Sequence, residues 1–93
     1  MNEIDLFNQV ARLARPAFRD YVPIETLDMP FPETGLDSLD GVMISIYLCE
    51  IYDIEEEVAK EFSFTTPAEL FELCHKHKKK TPESVEAAME MIK

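Results

Sequence analysis

Ser38 is the one hydroxyl in this chain set where chemistry could be built around it. It lies in Glu33-Thr34-Gly35-Leu36-Asp37-Ser38-Leu39-Asp40-Gly41, a stretch that combines a glycine turn, two acids and the start of an apolar run. Gly35 can take backbone conformations closed to other residues, which suits a tight turn. Asp37 or Ser38 can cap a following helix by accepting from an orphan backbone N–H. Ser38 is then expected at the exposed start of a long helix. Backbone N–H groups and the positive end of the helix dipole favour an anion there, so a phosphate on Ser38 would be well tolerated.

Other chemistries find less support. A nucleophilic serine needs a base and a group to orient it. The only histidines, His75 and His77, lie in a Lys-rich segment far along the chain, and there is no Gly-x-Ser-x-Gly elbow. Self-contained catalysis is therefore not expected. A calcium loop with Gly41 at its central glycine would begin at Leu36 and end at Tyr47, neither of which is a ligand. Cys74, His75 and His77 are too few and too close together for a zinc site. Asp37 and Asp40 fall in the first turn of the expected helix, where acids are favoured as caps. They read as caps that also mark the site electrostatically.

The elements that must position Ser38 read as helices throughout, and no useful strand pattern appears. Asn2 and Asp5 form a capping pair for a first helix carrying Ile4, Phe7, Val10, Ala11 and Ala14 at helical spacing, ended or kinked by Pro16. Residues 20–36 form a long loop broken by Pro23, Pro30 and Pro32, with Ile24, Leu27 and Phe31 spaced to pin it to a core. The second helix should run from Ser38 to about Tyr52. It is apolar almost all round, and Ile44, Leu48 and Tyr52 can enter the core. That leaves a face near Val42, Met43 and Ile46 for a partner.

Residues 53–64 hold one short helix and a loop, with Glu55-Glu56-Glu57 as a solvated face. Thr66-Pro67-Ala68-Glu69 starts another helix with a capping box, and Leu70, Phe71, Leu73 and Cys74 form its buried side. Thr81-Pro82-Glu83 resembles one more helix start, followed by Val85, Ala88, Met89 and Ile92 at helical spacing. The expectation is an all-α domain over residues 1–80 and a C-terminal helical extension over 81–93.

The charge balance constrains partners. The chain has 93 residues and a net charge of −10, and the region from Asp20 to His75 holds fourteen acids against one base, Lys60. Nucleic acid is not an expected partner, because binding it requires phosphates to be neutralised by Lys and Arg. Basic protein partners fit, and long-range attraction would speed their encounter. Two cysteines, Cys49 and Cys74, in apolar helical stretches argue against a disulfide framework and for a reducing compartment. The polar, acidic Asn2-Glu3-Ile4-Asp5 does not read as a secretory signal, and no run of about 18 apolar residues exists to span a membrane. A cytoplasmic monomer is expected.

Thr34-Gly35-Leu36-Asp37-Ser38-Leu39-Asp40, followed by an apolar helix and an acidic short helix, resembles the acyl carrier proteins and the wider carrier group with peptidyl and D-alanyl members. The tripeptide Asp-Ser-Leu alone recurs by chance. Chain length, acidity, the Pro-rich first loop and the helix order strengthen it, over roughly Ile4 to His77. The resemblance implies a four-helix bundle with a long first loop, extended here by the possible C-terminal helix.

It also implies that Ser38 carries covalent 4′-phosphopantetheine, installed from coenzyme A by a phosphopantetheinyl transferase. The arm's thiol would hold an acyl or aminoacyl group as a thioester for acyl-loading and acyl-processing enzymes. Asp37 matches the acid before the modified serine, and Leu39 and Asp40 match positions that help the transferase dock. Fatty-acid carriers commonly have several acids along the second helix. Here Met43, Cys49 and Ile51 stand at what read as surface positions, so docking is expected to be more apolar, through Val42, Met43 and Ile46 beside Asp40. A specialised lipid or secondary-metabolite pathway follows as an expectation. A D-alanyl or other aminoacyl carrier, and an unmodified acidic interaction module of the same fold, are the alternatives.

Overall fold

The computed structural model describes residues 2–15 and 20–92. They form five α-helices: α1 (Glu3–Ala14), α2 (Ser38–Tyr52), α3 (Glu56–Ala59), α4 (Pro67–His77) and α5 (Val85–Glu90). A short 3-10 helix, Phe31–Thr34, lies in the first loop, and no strand occurs among the described residues. The all-α class read from the sequence is the class of the structure.

α1 starts where its cap places it. The Asp5 N–H donates to Asn2 Oδ1 at 3.1 Å, and Glu3 and Asp5 complement the dipole from the first turn. Leu6, Phe7, Val10 and Ala11 are wholly buried, while Arg12 and Leu13 face solvent. The helix stops at Ala14, and Arg15 is extended (φ −77°, ψ 152°), the conformation favoured before a proline. Pro16 itself lies outside the described residues.

The long first loop is held at several points. Asn8 on α1 reaches it with three hydrogen bonds: its Oδ1 accepts from Tyr21 Oη at 2.6 Å and from the Ile24 N–H at 2.8 Å, and its Nδ2 donates to Ile24 O at 3.2 Å. The Ala68 N–H donates to Leu27 O at 2.8 Å, tying the loop to the first turn of α4. Ile24 and Phe31 are buried and Leu27 is half-buried, as their spacing suggested. The Phe31 ring packs between Phe7 (5.7 Å between centroids) and Phe64 (5.5 Å).

α2 packs against α1, α3 and α4. Its inward side, Ile44, Leu48, Ile51 and Tyr52, is fully buried. Cys49 and Ile51 had read as surface positions, and the structure corrects both. α2 meets α3 and α4 as well as α1, and from Leu48 to Tyr52 only Glu50 stays exposed. Gly41 also has a different role from the one its low helix propensity suggests. A Cβ at this position would lie 3.2 and 3.3 Å from the Phe31 ring, so the missing side chain lets α2 approach the pinned loop closely.

α4 has the expected capping box, with the Glu69 N–H donating to Thr66 Oγ1 at 3.2 Å and the Thr66 N–H donating to Glu69 Oε1 at 3.3 Å. Hydrogen bonds from the Thr65 hydroxyl and then its N–H hold the Glu69 carboxyl below the usual range. α5 begins three residues later than Thr81-Pro82-Glu83 suggested. Its cap is Ser84, whose Oγ accepts from the Ala87 N–H at 3.1 Å, and Pro82 is buried ahead of it. α5 packs against α1, and Ala88 and Met89 share one buried cluster with Leu6, Phe7 and Leu48. The division at 80/81 is therefore not a packing boundary.

Candidate functional site

The site begins with the turn that delivers Ser38. Thr34 is fully buried: its Oγ1 donates to Phe31 O at 2.5 Å and accepts from the Leu36 N–H at 3.3 Å. Its carbonyl accepts from the Val22 N–H at 3.0 Å. Gly35 follows at φ 82°, the left-handed region, where a Cβ would also lie 3.2 Å from Asp20 O. Leu36 then buries itself, so the chain enters α2 from a fixed direction.

Asp37 is the N-cap of α2 and Ser38 its first residue. The Asp40 N–H donates to Asp37 Oδ1 at 2.9 Å, and the Asp37 N–H donates back to Asp40 Oδ2 at 3.2 Å. This reciprocal box secures the third N–H of the helix. The N–H groups of Ser38 and Leu39, in the first two helical positions, have no acceptor within the helix. Ser38 is exposed on this fixed end, and Leu39 beside it is 68% exposed.

Asp40 departs from expectation. It had been placed among the partner-docking residues, but it is 4% exposed and its carboxylate serves the cap. At the third helical position the side chain folds back over the helix start, which satisfies a backbone donor and turns the charge away from solvent. Val42 and Ile46, by contrast, are 52% and 46% exposed, and Met43 is half-buried. The apolar face that α2 leaves in solvent is therefore Leu39, Val42 and Ile46, with Met43 at its edge.

The same stripe leads to a groove. Ser38, Val42, Ile46, Cys49 and Asp53 recur at helical spacing along one side of α2. At its C-terminal end lies a cavity of about 670 Å³. Cys49 and Ile54 form its buried floor; Ala59 of α3 and the exposed Ile46 and Met91 form its apolar sides. Glu50, Asp53, Glu56 and Lys80 stand at its exposed rim.

The remaining reactive groups are engaged elsewhere. His75 Nε2 pairs with Glu3 Oε2 at 2.5 Å, and the ring meets Tyr52 edge-on at 5.5 Å. His77 lies against Phe62 at 5.9 Å. Cys49 and Cys74 are free and buried, and burial pushes their thiols up to about 11 and about 12. Among the described residues no group of three or more His, Cys, Asp or Glu is placed to hold a metal, and no helix is long and apolar enough to cross a membrane.

No family model, curated protein or solved structure matches the chain. The site therefore rests on its own geometry. Of its supports, Asn8 escaped the sequence reading, and Thr34 was read only as part of the motif, without a role. Asn8 sits at a polar position of an amphipathic helix, and only the fold brings the loop to it. Thr34 could have been flagged by its place just before a turn glycine, where a hydroxyl can bond the local backbone.

Proposed function

We propose that this chain is a carrier protein whose Ser38 receives 4′-phosphopantetheine through a phosphodiester. The observation that carries the reading is Ser38 itself: an exposed hydroxyl on the first residue of a rigidly capped helix, beside an apolar stripe open to solvent. In this reading the bundle is the four helices α1 to α4, with α5 added to it. The Ser38 oxygen would attack the phosphorus of coenzyme A that carries the pantetheine arm, within a transferase's active site, and the adenosine bisphosphate would leave. The Ser38 and Leu39 N–H groups, at the start of α2, would be available to a phosphate attached there, and the helix dipole would favour its charge. Asp37 and Asp40 hold the turn so that the hydroxyl is presented at a fixed point. Once attached, the arm supplies a thiol that carries cargo as a thioester; this chain contributes the anchor and the surface for its partners.

Those partners are the transferase and the enzymes that load and process an acyl group. Leu39, Val42 and Ile46 give them an apolar contact, and the surrounding acids favour a basic rim. The inference of a specialised pathway now rests on Val42, Met43 and Ile46, since Cys49 and Ile51 are core residues. A D-alanyl or other aminoacyl cargo suits the same site.

The test is an intact-mass measurement after incubation with coenzyme A and a broad-specificity transferase. The mass is expected to rise by one phosphopantetheine, and Ser38→Ala is expected to abolish the gain. An unchanged mass with several transferases, together with partner binding unaffected by Ser38→Ala, would favour an unmodified interaction module.

A further inference from the structure

Asn8 stands far before Ser38 in the chain, and the fold links the two through the first loop. The Asn8 carboxamide holds both backbone groups of the buried Ile24. Its Oδ1 accepts from the N–H at 2.8 Å, and its Nδ2 donates to the carbonyl at 3.2 Å. Oδ1 also accepts from Tyr21 Oη at 2.6 Å. Burial pushes the Tyr21 phenol up to about 12, so its hydroxyl stays a donor through the neutral range. An amide suits this position because it offers an acceptor and a donor on one planar group. Tyr21 and Ile24 are thereby clipped to α1 by a single side chain.

From this clip the path to Ser38 is short. Val22, between Tyr21 and Ile24, donates its N–H to Thr34 O at 3.0 Å. A Cβ on Gly35 would lie 3.2 Å from Asp20 O, so residues 20–22 run alongside the turn. Thr34 Oγ1 accepts from the Leu36 N–H at 3.3 Å, and Asp37 and Ser38 follow. The other half of the loop is held separately. Leu27 O accepts from the Ala68 N–H at 2.8 Å, and the Phe31 ring sits between Phe7 and Phe64. The turn is thus supported from two sides, and Asn8 secures the side formed by residues 20–24. Val22 and Pro23 are exposed, so apart from Ile24 that side has little burial to hold it.

We propose that Asn8 is a positioning residue for the modification of Ser38: by clipping residues 21–24 to α1 it fixes the turn that aims the hydroxyl. This rests on the carrier reading above. The Ser38 oxygen must stand in line as its bond to phosphorus forms and the bond to the leaving adenosine bisphosphate breaks. An error of about 1 Å in such placement can cost ~10²-fold in rate. Leu39, Val42 and Ile46 are carried by α2 and not by the loop, so loosening the clip leaves docking intact and slows the bound complex.

The experiment follows transfer of phosphopantetheine from coenzyme A to the full, unmodified chain by intact mass, well below every melting temperature, and separates kcat from KM for the chain. Asn8→Ala should lower kcat about tenfold, with the Phe31 side still in place, and leave KM near that of wild type. Tyr21→Phe keeps both bonds to Ile24 and should fall between Asn8→Ala and wild type. Leu48→Ala, a core truncation, should keep the wild-type kcat although it too lowers the melting temperature. Hydrogen exchange reads the same clip without a transferase: in Asn8→Ala, quickening should spread from the Ile24 amide to that of Leu36. An unchanged kcat in Asn8→Ala, a rise in KM alone, or an equal loss in Leu48→Ala would overturn the role of Asn8 and leave the carrier reading standing. Quickening confined to Ile24 would do the same. A wild-type chain that gains no mass would overturn the carrier reading and this role together.

Discussion

α1 and α2 are neighbouring helices of similar length built on opposite plans. α1 has one apolar side, and that side is the one buried: Leu6, Phe7, Val10 and Ala11 go in, Arg12 stays out. α2 is apolar on nearly every side, and the fold chose which part to cover. Ile44, Leu48 and Ile51 are buried, while Leu39, Val42 and Ile46 remain in solvent. An amphipathic helix needs only a core to be satisfied. A helix with a second apolar side keeps exposed surface that costs solvation until something binds it. The contrast separates a helix whose apolar side is satisfied by the core from one that leaves apolar side chains in solvent.

The sharpest way to test that contrast is to truncate both sides of α2. Leu48→Ala should cost about 3 kcal/mol by chemical denaturation, from lost burial and the cavity left behind. Val42→Ala should change stability by no more than ~0.5 kcal/mol, as at other surface positions. It should instead slow modification of Ser38 by the transferase. Equal stability losses at the two positions would remove the basis for a partner face.

The polar side of α1 is not idle, and Asn8 shows it. Asn8→Ala should lose about 2–3 kcal/mol, near 1 kcal/mol for each of three hydrogen bonds to Tyr21 and Ile24. Hydrogen exchange should quicken at the Ile24 amide before it does so in the helices. An unchanged denaturation midpoint would return Asn8 to an ordinary surface residue.

Gly41 tests how closely α2 must approach the loop. Helix propensity alone predicts that Gly41→Ala stabilises by about 1 kcal/mol. The Phe31 ring, held between Phe7 and Phe64, leaves little room for a methyl group. Overpacking should win, for a net loss of about 1 kcal/mol. A gain in melting temperature would mean that the ring yields.

The smallest expected effect lies at the other end of α2. Tyr52 is fully buried, its Oη finds no hydrogen-bond partner among the described residues, and burial raises its pKa. Tyr52→Phe should therefore raise stability by up to ~1 kcal/mol by removing an unsatisfied polar group. A loss would point to a partner for the hydroxyl, such as a bound water.

Much of the local structure was legible because it is set by residues near in sequence. Asp37 with Asp40, and Thr66 with Glu69, specify helix starts through contacts three residues apart. Gly35 at positive φ was legible for the same reason. α5 was read three residues early because Thr81 and Ser84 are both able caps, and the choice follows from where Ala88 and Met89 meet α1.

By itself the sequence determined an all-α chain, an acidic surface, the bounds of α2 and the place of Ser38 at its start. Spacing and capping fix these, and both act within a few residues. Only the tertiary structure decided which side of α2 is covered, that Gly41 receives Phe31, and that Met91 comes to a groove beside Ile46 and Cys49. Periodicity gives a helix its faces but not its neighbours. Where every face is apolar, burial is assigned by the elements packed around it.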